Sequence, residues 1–210
     1  MTIDLTDLST LDWTKGDGLL PVIVQHWLSG EVLMLGYMNR EALSHTETSG
    51  RVTFFSRSKQ RLWTKGESSG HVLQLKSIRR DCDADTLLVQ ADPVGPTCHL
   101  GSRSCFGTDQ QPPLGFLAQL DELVRQRHDQ RPEGSYTTRL FEGGIRRIAQ
   151  KVGEEGVETA LAAVAQEDAE LLGEAADLVF HLTVALRARG LSLRDVAAVL
   201  AARNPVPPGV

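Results

Sequence analysis

The sequence predicts an α+β protein: a mostly antiparallel β-sheet domain with one short helix, followed by an all-α helical-bundle domain. Three observations support this. Between Gly18 and Asp92, short apolar runs alternate with turn residues, which is typical of strands. From Phe116 onward, apolar residues recur with the helical period. A polar segment rich in proline and glycine separates the two patterns.

The first half contains five apolar runs that predict strands. They cover residues 19–24, 32–35, 52–55, 72–75 and 86–89. A short helix is expected over residues 40–48, because Asn39 is a good N-cap and Gly50 is a good helix terminator.

The second half predicts amphipathic helices with clear end signals. The first begins at Phe116 and is broken by Pro132 and Gly134, and a longer one lies around residues 145–164, with Gly143-Gly144 as a break before it. A third covers about 168–188 and stops at Gly190. The last begins at a capping box formed by Ser192 and Asp195 and is closed by Asn204-Pro205.

These patterns predict a domain over residues 1–107, a linker over 108–115, a helical domain over 116–204 and a tail over 205–210. Each domain has about 100 residues, which gives a modest core. We therefore expect the chain to self-associate.

Composition excludes several classes of protein. A net charge of −5, with 41% hydrophobic and 23% charged residues, is typical of a globular chain and argues against a nucleic-acid binder, which needs a basic face. No apolar run approaches the ~20 residues of a membrane span, and the acidic first twenty residues do not resemble a signal peptide. Three cysteines without secretion argue against a disulfide framework. We expect a soluble, cytoplasmic protein that contacts neither nucleic acid nor membrane.

The densest cluster of candidate ligands is Asp81-Cys82-Asp83-Ala84-Asp85. On an extended strand the three aspartates would share one face, where a hard cation such as Mg²⁺ would relieve their repulsion. A calcium EF-hand loop is excluded, because Thr86 and Asp92 stand where that loop needs glycine and glutamate. The alternative is a solvated acidic turn.

Cys82, Cys98 and Cys105 are the only cysteines, and three thiolates form a soft site suited to Zn²⁺. Three protein ligands are typical of a catalytic zinc site with an open position for water. Two alternatives stay open: His99 is a fourth ligand, or the three thiols are inert.

A third motif runs from Ser56 to Gly70 and combines cations, hydroxyls, glycines and Trp63. Such a segment suits a phosphate and a stacked base, although a solvated basic loop is the alternative.

Together these motifs resemble phosphoribosyl-AMP cyclohydrolase of histidine biosynthesis, over roughly residues 15–107. The resemblance is carried by Phe55-Ser56-Arg57-Ser58, Leu62-Trp63-Thr64-Lys65-Gly66-Glu67-Ser68-Ser69-Gly70, Asp81-Cys82-Asp83-Ala84-Asp85, Cys98-His99 and Ser104-Cys105-Phe106.

That resemblance implies a homodimer whose zinc site is completed by cysteines of both chains, with Mg²⁺ on Asp81, Asp83 and Asp85. It also implies hydrolytic opening of the purine ring at the N1–C6 bond. His99 is the nearest candidate for moving the proton, ahead of His71, while His26 and His45 are expected to be structural. The residues assigned to substrate binding are Ser56, Arg57, Trp63, Lys65, Glu67, Ser68 and Ser69.

In the second half, acidic residues lie at helical spacing on two helices. Glu154, Glu155 and Glu158 can share one face, and Lys151 can pair with Glu155. Glu174 and Asp177 form an i, i+3 pair followed by His181, in an otherwise apolar stretch. These carboxylates suit a Mg²⁺ site, although the first three alone would also fit an ordinary charged face.

This pattern resembles the all-α nucleoside-triphosphate pyrophosphohydrolases. The flanking Tyr136-Thr137, Leu140, Lys151-Val152-Gly153-Glu154-Glu155 and Glu174-Ala175-Ala176-Asp177-Leu178 narrow it to phosphoribosyl-ATP pyrophosphohydrolase, over about residues 116–204. The resemblance implies Mg²⁺ ligands at Glu155, Glu158, Glu174 and Asp177. It makes Glu154 a further ligand or the water-orienting base, and places Lys151 with Arg139, Arg146 or Arg147 on phosphate oxygens.

The two resemblances support each other, because the product of the second activity is the substrate of the first. We therefore expect a bifunctional histidine-biosynthesis hydrolase that acts on phosphoribosyl-ATP and phosphoribosyl-AMP. One rival is a general nucleotide pyrophosphatase with a zinc-stabilised accessory module, and the other is a metal-dependent scaffold protein. Neither rival needs the segment Trp63 to Gly70.

Overall fold

The computed structural model describes residues 4–5, 10–107 and 112–205. The chain forms two compact units, Met1–Gly115 and Phe116–Val210. Half of the predicted linker, residues 108–111, and residues 206–210 of the predicted tail lie outside the described residues. Among the described helices, none is both long enough and apolar enough to span a membrane.

The described residues of the first unit form seven strands and one helix. In chain order they are β1 (Asp4–Leu5), β2 (Leu20–His26), β3 (Val32–Met38), α1 (Arg40–Ser49), β4 (Thr53–Ser56), β5 (Arg61–Thr64), β6 (Leu73–Arg80) and β7 (Leu87–Pro93). Five strands form one sheet in the order β1-β6-β7-β2-β3, and β4 and β5 form a separate hairpin.

Antiparallel pairing dominates this unit, as predicted. β2 with β3, β6 with β7 and β4 with β5 are antiparallel, whereas β1 with β6 and β2 with β7 are parallel. The predicted caps of α1 are also confirmed. The Asn39 side chain accepts a hydrogen bond from the Ala42 N–H at 2.8 Å, and Gly50 ends the helix with a left-handed backbone.

The strands β1 and β5 and the turn from Asp81 to Asp85 differ from the elements predicted from the sequence. β1 has only two residues, and β5, Arg61–Thr64, includes only two large apolar side chains, so neither gives a clear apolar run. The segment from Asp81 to Asp85 is a turn between β6 and β7 and not an extended strand. The Asp81 carboxylate accepts hydrogen bonds from the Asp85 and Thr86 N–H groups, which closes the turn, and Ala84 adopts a positive φ of 61°.

The second unit is helical throughout its described secondary structure. Its elements are α2 (Gly115–Gln130), α3 (Tyr136–Glu142), α4 (Gly144–Ala165), α5 (Asp168–Ala188) and α6 (Leu193–Arg203). The break at Gly143-Gly144 is confirmed, and so is the capping box of Ser192 and Asp195. The separate short helix α3 was not predicted. Its Leu140 and Phe141 are buried in one core cluster with Val124, Ile148 and Val184.

A close approach between two strands positions part of the first candidate site. Gly36 in β3 lies directly under the ring of Phe54 in β4, so that a Cβ at Gly36 would come within 2.4 Å of that ring. Phe54 is buried, and its ring centroid lies 5.6 Å from that of Trp63 in β5. Glycine at position 36 therefore lets the β4–β5 hairpin, with Trp63, pack against the sheet.

We expect Gly36→Ala to lower the free energy of unfolding by about 1–3 kcal/mol, because the added methyl group overpacks the Phe54 ring. Urea denaturation measures the change. In a Phe54→Leu background, the smaller and more easily rotated side chain should reduce that penalty. An unchanged penalty in both backgrounds would contradict the close approach as its cause.

Candidate active sites

The three aspartates between β6 and β7 form a compact acidic cluster. One oxygen from each of Asp81, Asp83 and Asp85 lies within 4.8 Å of the others. The Lys15 ammonium contacts Asp83 Oδ2 at 2.7 Å and Asp85 Oδ2 at 3.1 Å, and its hydrogen bond lowers the pKa of Asp83. The oxygen donors fit a hard divalent cation. Lys15 was missed in the sequence, because it precedes the cluster by almost seventy residues with no motif linking them.

Two of the three cysteines lie together in the loop that follows β7. The Cys98 sulfur accepts a hydrogen bond from the Leu100 N–H at 3.5 Å, which lowers the pKa of Cys98, and the neighbouring side chains of Ser102 and Cys105 lower it further. Although Cys105 as a residue is exposed, burial of its thiol and the adjacent Cys98 raise the pKa of Cys105. The pair provides two soft donors.

Hydrogen bonds to the edge strand β3 fix this loop. The Cys105 N–H donates to the Leu33 carbonyl at 2.8 Å, and the Ser104 hydroxyl donates to the Val32 carbonyl at the same distance. The loop conformation is therefore tied to the sheet and not only to its own turns. This tie places Cys105 at the sheet edge.

Cys82 is separate from this pair. Its sulfur is exposed and lies 3.9 Å from an oxygen of Asp83 in the acidic turn. Across the part of the chain that the structure describes, no cluster of three ligand atoms within 4.8 Å includes a cysteine. One chain therefore brings two of the three predicted zinc ligands together and leaves the third apart.

A cavity of about 360 Å³ opens beside Cys98. Its lining includes seven residues predicted for this site: Trp63, Lys65, Glu67, Ser68, Ser69, Cys98 and His99. Gly66, His71, Pro96 and Gly101 complete the lining. The cavity thus presents an aromatic face, a cation, hydroxyls and a thiol to one ligand. Its volume lies within the usual range for small-molecule sites.

The other predicted substrate-binding residues of the first unit lie outside this lining. Ser56 accepts a hydrogen bond from the Lys59 N–H in the β4–β5 turn, and the Arg57 guanidinium stacks on the Tyr37 ring at 3.8 Å. Glu67, at the cavity wall, is held by Arg61, whose hydrogen bond at 2.8 Å lowers the pKa of Glu67.

A second acidic cluster lies between α4 and α5. One oxygen from each of Glu155, Glu158 and Glu174 lies within 4.8 Å of the others. Glu155 is buried, Glu174 is half-buried and Glu158 is exposed. Two helices thus bring together carboxylates separated by up to nineteen positions in the sequence. The oxygen donors again fit a hard divalent cation.

Lys151 is the cation of this cluster in the structure. Its ammonium contacts Glu155 Oε1 at 2.8 Å and Glu154 Oε2 at 2.9 Å, and it lowers the pKa of both carboxyls. Desolvation of its carboxyl and the negative charges of Glu155 and Glu174 raise the pKa of Glu158 instead. The predicted pairing of Lys151 with Glu155 is confirmed.

Two further predicted residues flank the cluster. The exposed Asp177 lies one turn after Glu174 on α5, and its side chain is outside the group of three. Arg139 donates to the Gly134 carbonyl at 3.0 Å, and its guanidinium lies 5.6 Å from the centre of the Tyr136 ring. The Arg139 guanidinium is therefore held beside the N-terminal end of its own helix, α3.

Comparison with known protein families agrees with this division of the chain. Residues 34–107 match the family model of phosphoribosyl-AMP cyclohydrolase, and residues 117–204 match that of phosphoribosyl-ATP pyrophosphohydrolase. The chain is 68% identical over 197 residues to the histidine biosynthesis bifunctional protein HisIE of Xanthomonas campestris pv. campestris, covering 94% of each chain.

The chain belongs to the HisIE family. The HisIE proteins of Xylella fastidiosa (strain Temecula1) and Escherichia coli (strain K12) are 66% and 60% identical to it. The match covers 94% of each chain for the first, and 92% of this chain and 95% of its relative for the second. As a HisIE family member the chain is a bifunctional hydrolase of histidine biosynthesis, with the cyclohydrolase region N-terminal to the pyrophosphohydrolase region.

The positions of the three thiols predict which disulfide forms when the protein is oxidised. Because Cys98 and Cys105 lie close enough for each thiol to shift the pKa of the other, mild oxidation of the metal-free protein should link them within one chain and leave Cys82 free for alkylation. Peptide mass mapping after iodoacetamide treatment identifies the products, with Cys105→Ser as the control. An intrachain disulfide between Cys82 and Cys98 would contradict the arrangement.

Proposed function

We propose that this chain hydrolyses phosphoribosyl-ATP to phosphoribosyl-AMP and pyrophosphate at the carboxylate cluster of residues 116–204, and then opens the adenine ring at N1–C6 in residues 1–107. The observation that carries the proposal is that each compact unit holds its own candidate site: three carboxylates between two helices in one, and a cavity beside paired thiols in the other. Residues 108–115 serve as the linker.

In the pyrophosphohydrolase site, Glu155, Glu158, Glu174 and Asp177 hold Mg²⁺. The ion supplies positive charge that neutralises the triphosphate. Support for this assignment comes from three oxygen donors within 4.8 Å and from Asp177 one turn beyond Glu174. Glu154, whose carboxylate is held by Gln150 and Lys151, is a further ligand or orients the attacking water.

Cations of the same unit bind the phosphate oxygens. The Lys151 ammonium already contacts two carboxylates, those of Glu154 and Glu155. Because the side chain is long, a small rotation of it can move the ammonium from Glu155 to a phosphate. Arg139 at the Tyr136 ring supplies a second, planar cation. Attack of water on the triphosphate then releases pyrophosphate.

In the cyclohydrolase site, Zn²⁺ is held by Cys98 and Cys105 together with Cys82 of the partner subunit. This assignment rests on the two paired thiols and on the separate position of Cys82 within one chain. The ion supplies Lewis-acid activation for hydrolysis. The chain therefore acts as a homodimer whose zinc sites are shared.

The cavity residues bind phosphoribosyl-AMP beside the thiols. Trp63 stacks on the base, while Lys65, Ser68 and Ser69 bind the phosphate, and Ser56, Arg57 and Glu67 complete the pocket. His99, whose Nδ1 lies 4.0 Å from the Cys98 sulfur, transfers the proton to the opening ring. Asp81, Asp83 and Asp85 hold a second Mg²⁺ after Lys15 is displaced.

We place this enzyme in the cytoplasm, acting on small nucleotides without nucleic-acid or membrane partners. All three cysteines are free thiols, which suits a reducing compartment, and zinc binding needs them unoxidised. The acidic net charge of −5 likewise disfavours binding to nucleic acid.

Glu174→Ala should reduce pyrophosphate release at least about 100-fold, because it removes a carboxylate of the metal-binding cluster. Opening of added phosphoribosyl-AMP should continue at the unmodified rate. Product formation is followed by chromatography for each substrate separately. Glu170→Ala, one turn earlier on α5, is the matched control and should leave both rates unchanged. Loss of both activities in a folded Glu174→Ala protein would refute separate sites.

The shared zinc site predicts complementation between two inactive variants. Cys82→Ser and Cys98→Ser should each lose ring-opening activity, because each removes one ligand from every zinc site of a homodimer. After co-refolding, about half of the dimers are mixed, and each mixed dimer has one complete site, so about a quarter of the activity should return. No recovery in verified mixed dimers would contradict a shared site.

A further inference from the structure

A buried histidine lies beside the carboxylates of the pyrophosphohydrolase site. His181 on α5 is only 3% exposed and lies one turn after Asp177. Its Nδ1 is 2.9 Å from the Asp177 carbonyl oxygen and 3.6 Å from Glu155 Oε1. His181 therefore contacts the backbone of one proposed ligand and faces the carboxylate of another.

The hydrogen bonds of His181 define its tautomer. A carbonyl oxygen only accepts hydrogen bonds, so Nδ1 carries the proton and donates to Asp177. In the neutral ring Nε2 is then an acceptor, and the Tyr136 hydroxyl, at 3.0 Å, donates to it. The Asp177 carbonyl and the Tyr136 hydroxyl therefore favour the same tautomer, in which the proton is on the nitrogen that faces Glu155.

Glu155 is the buried member of the cluster, and its carboxylate is surrounded by other side chains of the protein. It is 5% exposed, whereas Glu158 is exposed, and it accepts the Lys151 hydrogen bond on the same oxygen that faces His181. When Lys151 moves to a phosphate, as proposed above, the Nδ1–H edge of His181 still faces this oxygen at 3.6 Å, while the N–H itself donates to the Asp177 carbonyl. The positive end of the imidazole dipole therefore continues to attract the carboxylate.

We propose that Tyr136 and His181 are positioning residues of the pyrophosphohydrolase site: the Asp177 carbonyl and the Tyr136 hydroxyl hold the His181 ring at its two nitrogens, and the Nδ1–H edge of that ring, 3.6 Å from Glu155 Oε1, orients Glu155 toward Glu158 and Glu174. This inference rests on the proposed function, because it takes Glu155 as a metal ligand. Orienting partners of ligand side chains commonly change metal affinity or activity 10–100-fold.

The Tyr136 hydroxyl offers a clean test, because the rest of its side chain can be retained. Tyr136 is 44% exposed, and its ring stacks near Phe180 at 6.2 Å and beneath Arg139. Tyr136→Phe keeps these ring contacts and removes only the donor to Nε2. A merely structural role for the ring therefore predicts no effect of this substitution on metal binding.

Replacing His181 with asparagine or with glutamine distinguishes the roles of its two ring nitrogens. Asparagine places an N–H donor near the position of Nδ1, whereas glutamine places its amide near Nε2. We expect Tyr136→Phe to weaken Mn²⁺ binding about 10-fold and His181→Gln about 10–100-fold, while His181→Asn stays within about 3-fold of the unmodified protein. Isothermal titration of the full-length protein with Mn²⁺ alone measures these affinities, and thermal denaturation checks that each variant is folded.

Two control variants separate this inference from the function on which it rests. Glu174→Gln should remove one class of Mn²⁺ site, and His128→Gln, a histidine on α2 that pairs with Asp129, should change nothing. If Glu174→Gln leaves Mn²⁺ binding intact, the proposed metal site itself is wrong. If Glu174→Gln removes it but Tyr136→Phe and His181→Gln bind Mn²⁺ normally, only the positioning role is overturned. Equal losses in His181→Asn and His181→Gln would also overturn it.

Discussion

Repulsion between like charges is the constraint on which both candidate sites depend. Each unit holds three carboxylates with oxygens within 4.8 Å of one another, an arrangement that needs a compensating cation. In each unit a lysine provides that cation: Lys15 bridges Asp83 and Asp85, and Lys151 bridges Glu154 and Glu155. The clusters are therefore assembled around a lysine, and the divalent ion proposed for each would replace that single positive charge with two.

The two units build these clusters by different means. In the first, a turn with backbone hydrogen bonds to Asp81 gathers three aspartates that are neighbours in the sequence. In the second, the packing of α4 against α5 brings together glutamates from two helices, with the buried His181 beside them. The first cluster depends on a local turn, whereas the second depends on the tertiary packing of a helical pair.

The sequence predicted the parts that follow from local patterns. Asn39 and Gly50 end α1 as expected, and the spacing of Glu155 and Glu158 placed both on one face of α4. It did not predict contacts between distant residues, such as Lys15 with Asp83, because no periodicity connects them. It also suggested an extended Asp81 segment, where carboxylate-to-backbone hydrogen bonds instead favour a turn. Hydrogen bonds of this kind depend on the side chain and not on the apolar pattern.

The most direct test of two successive hydrolyses is to incubate the purified chain with phosphoribosyl-ATP, Mg²⁺ and Zn²⁺ and to follow the products by mass spectrometry. The account predicts pyrophosphate together with a ring-opened product that is heavier than phosphoribosyl-AMP by one water. Accumulation of intact phosphoribosyl-AMP would contradict it, because the cavity beside Cys98 would then not be a working cyclohydrolase site.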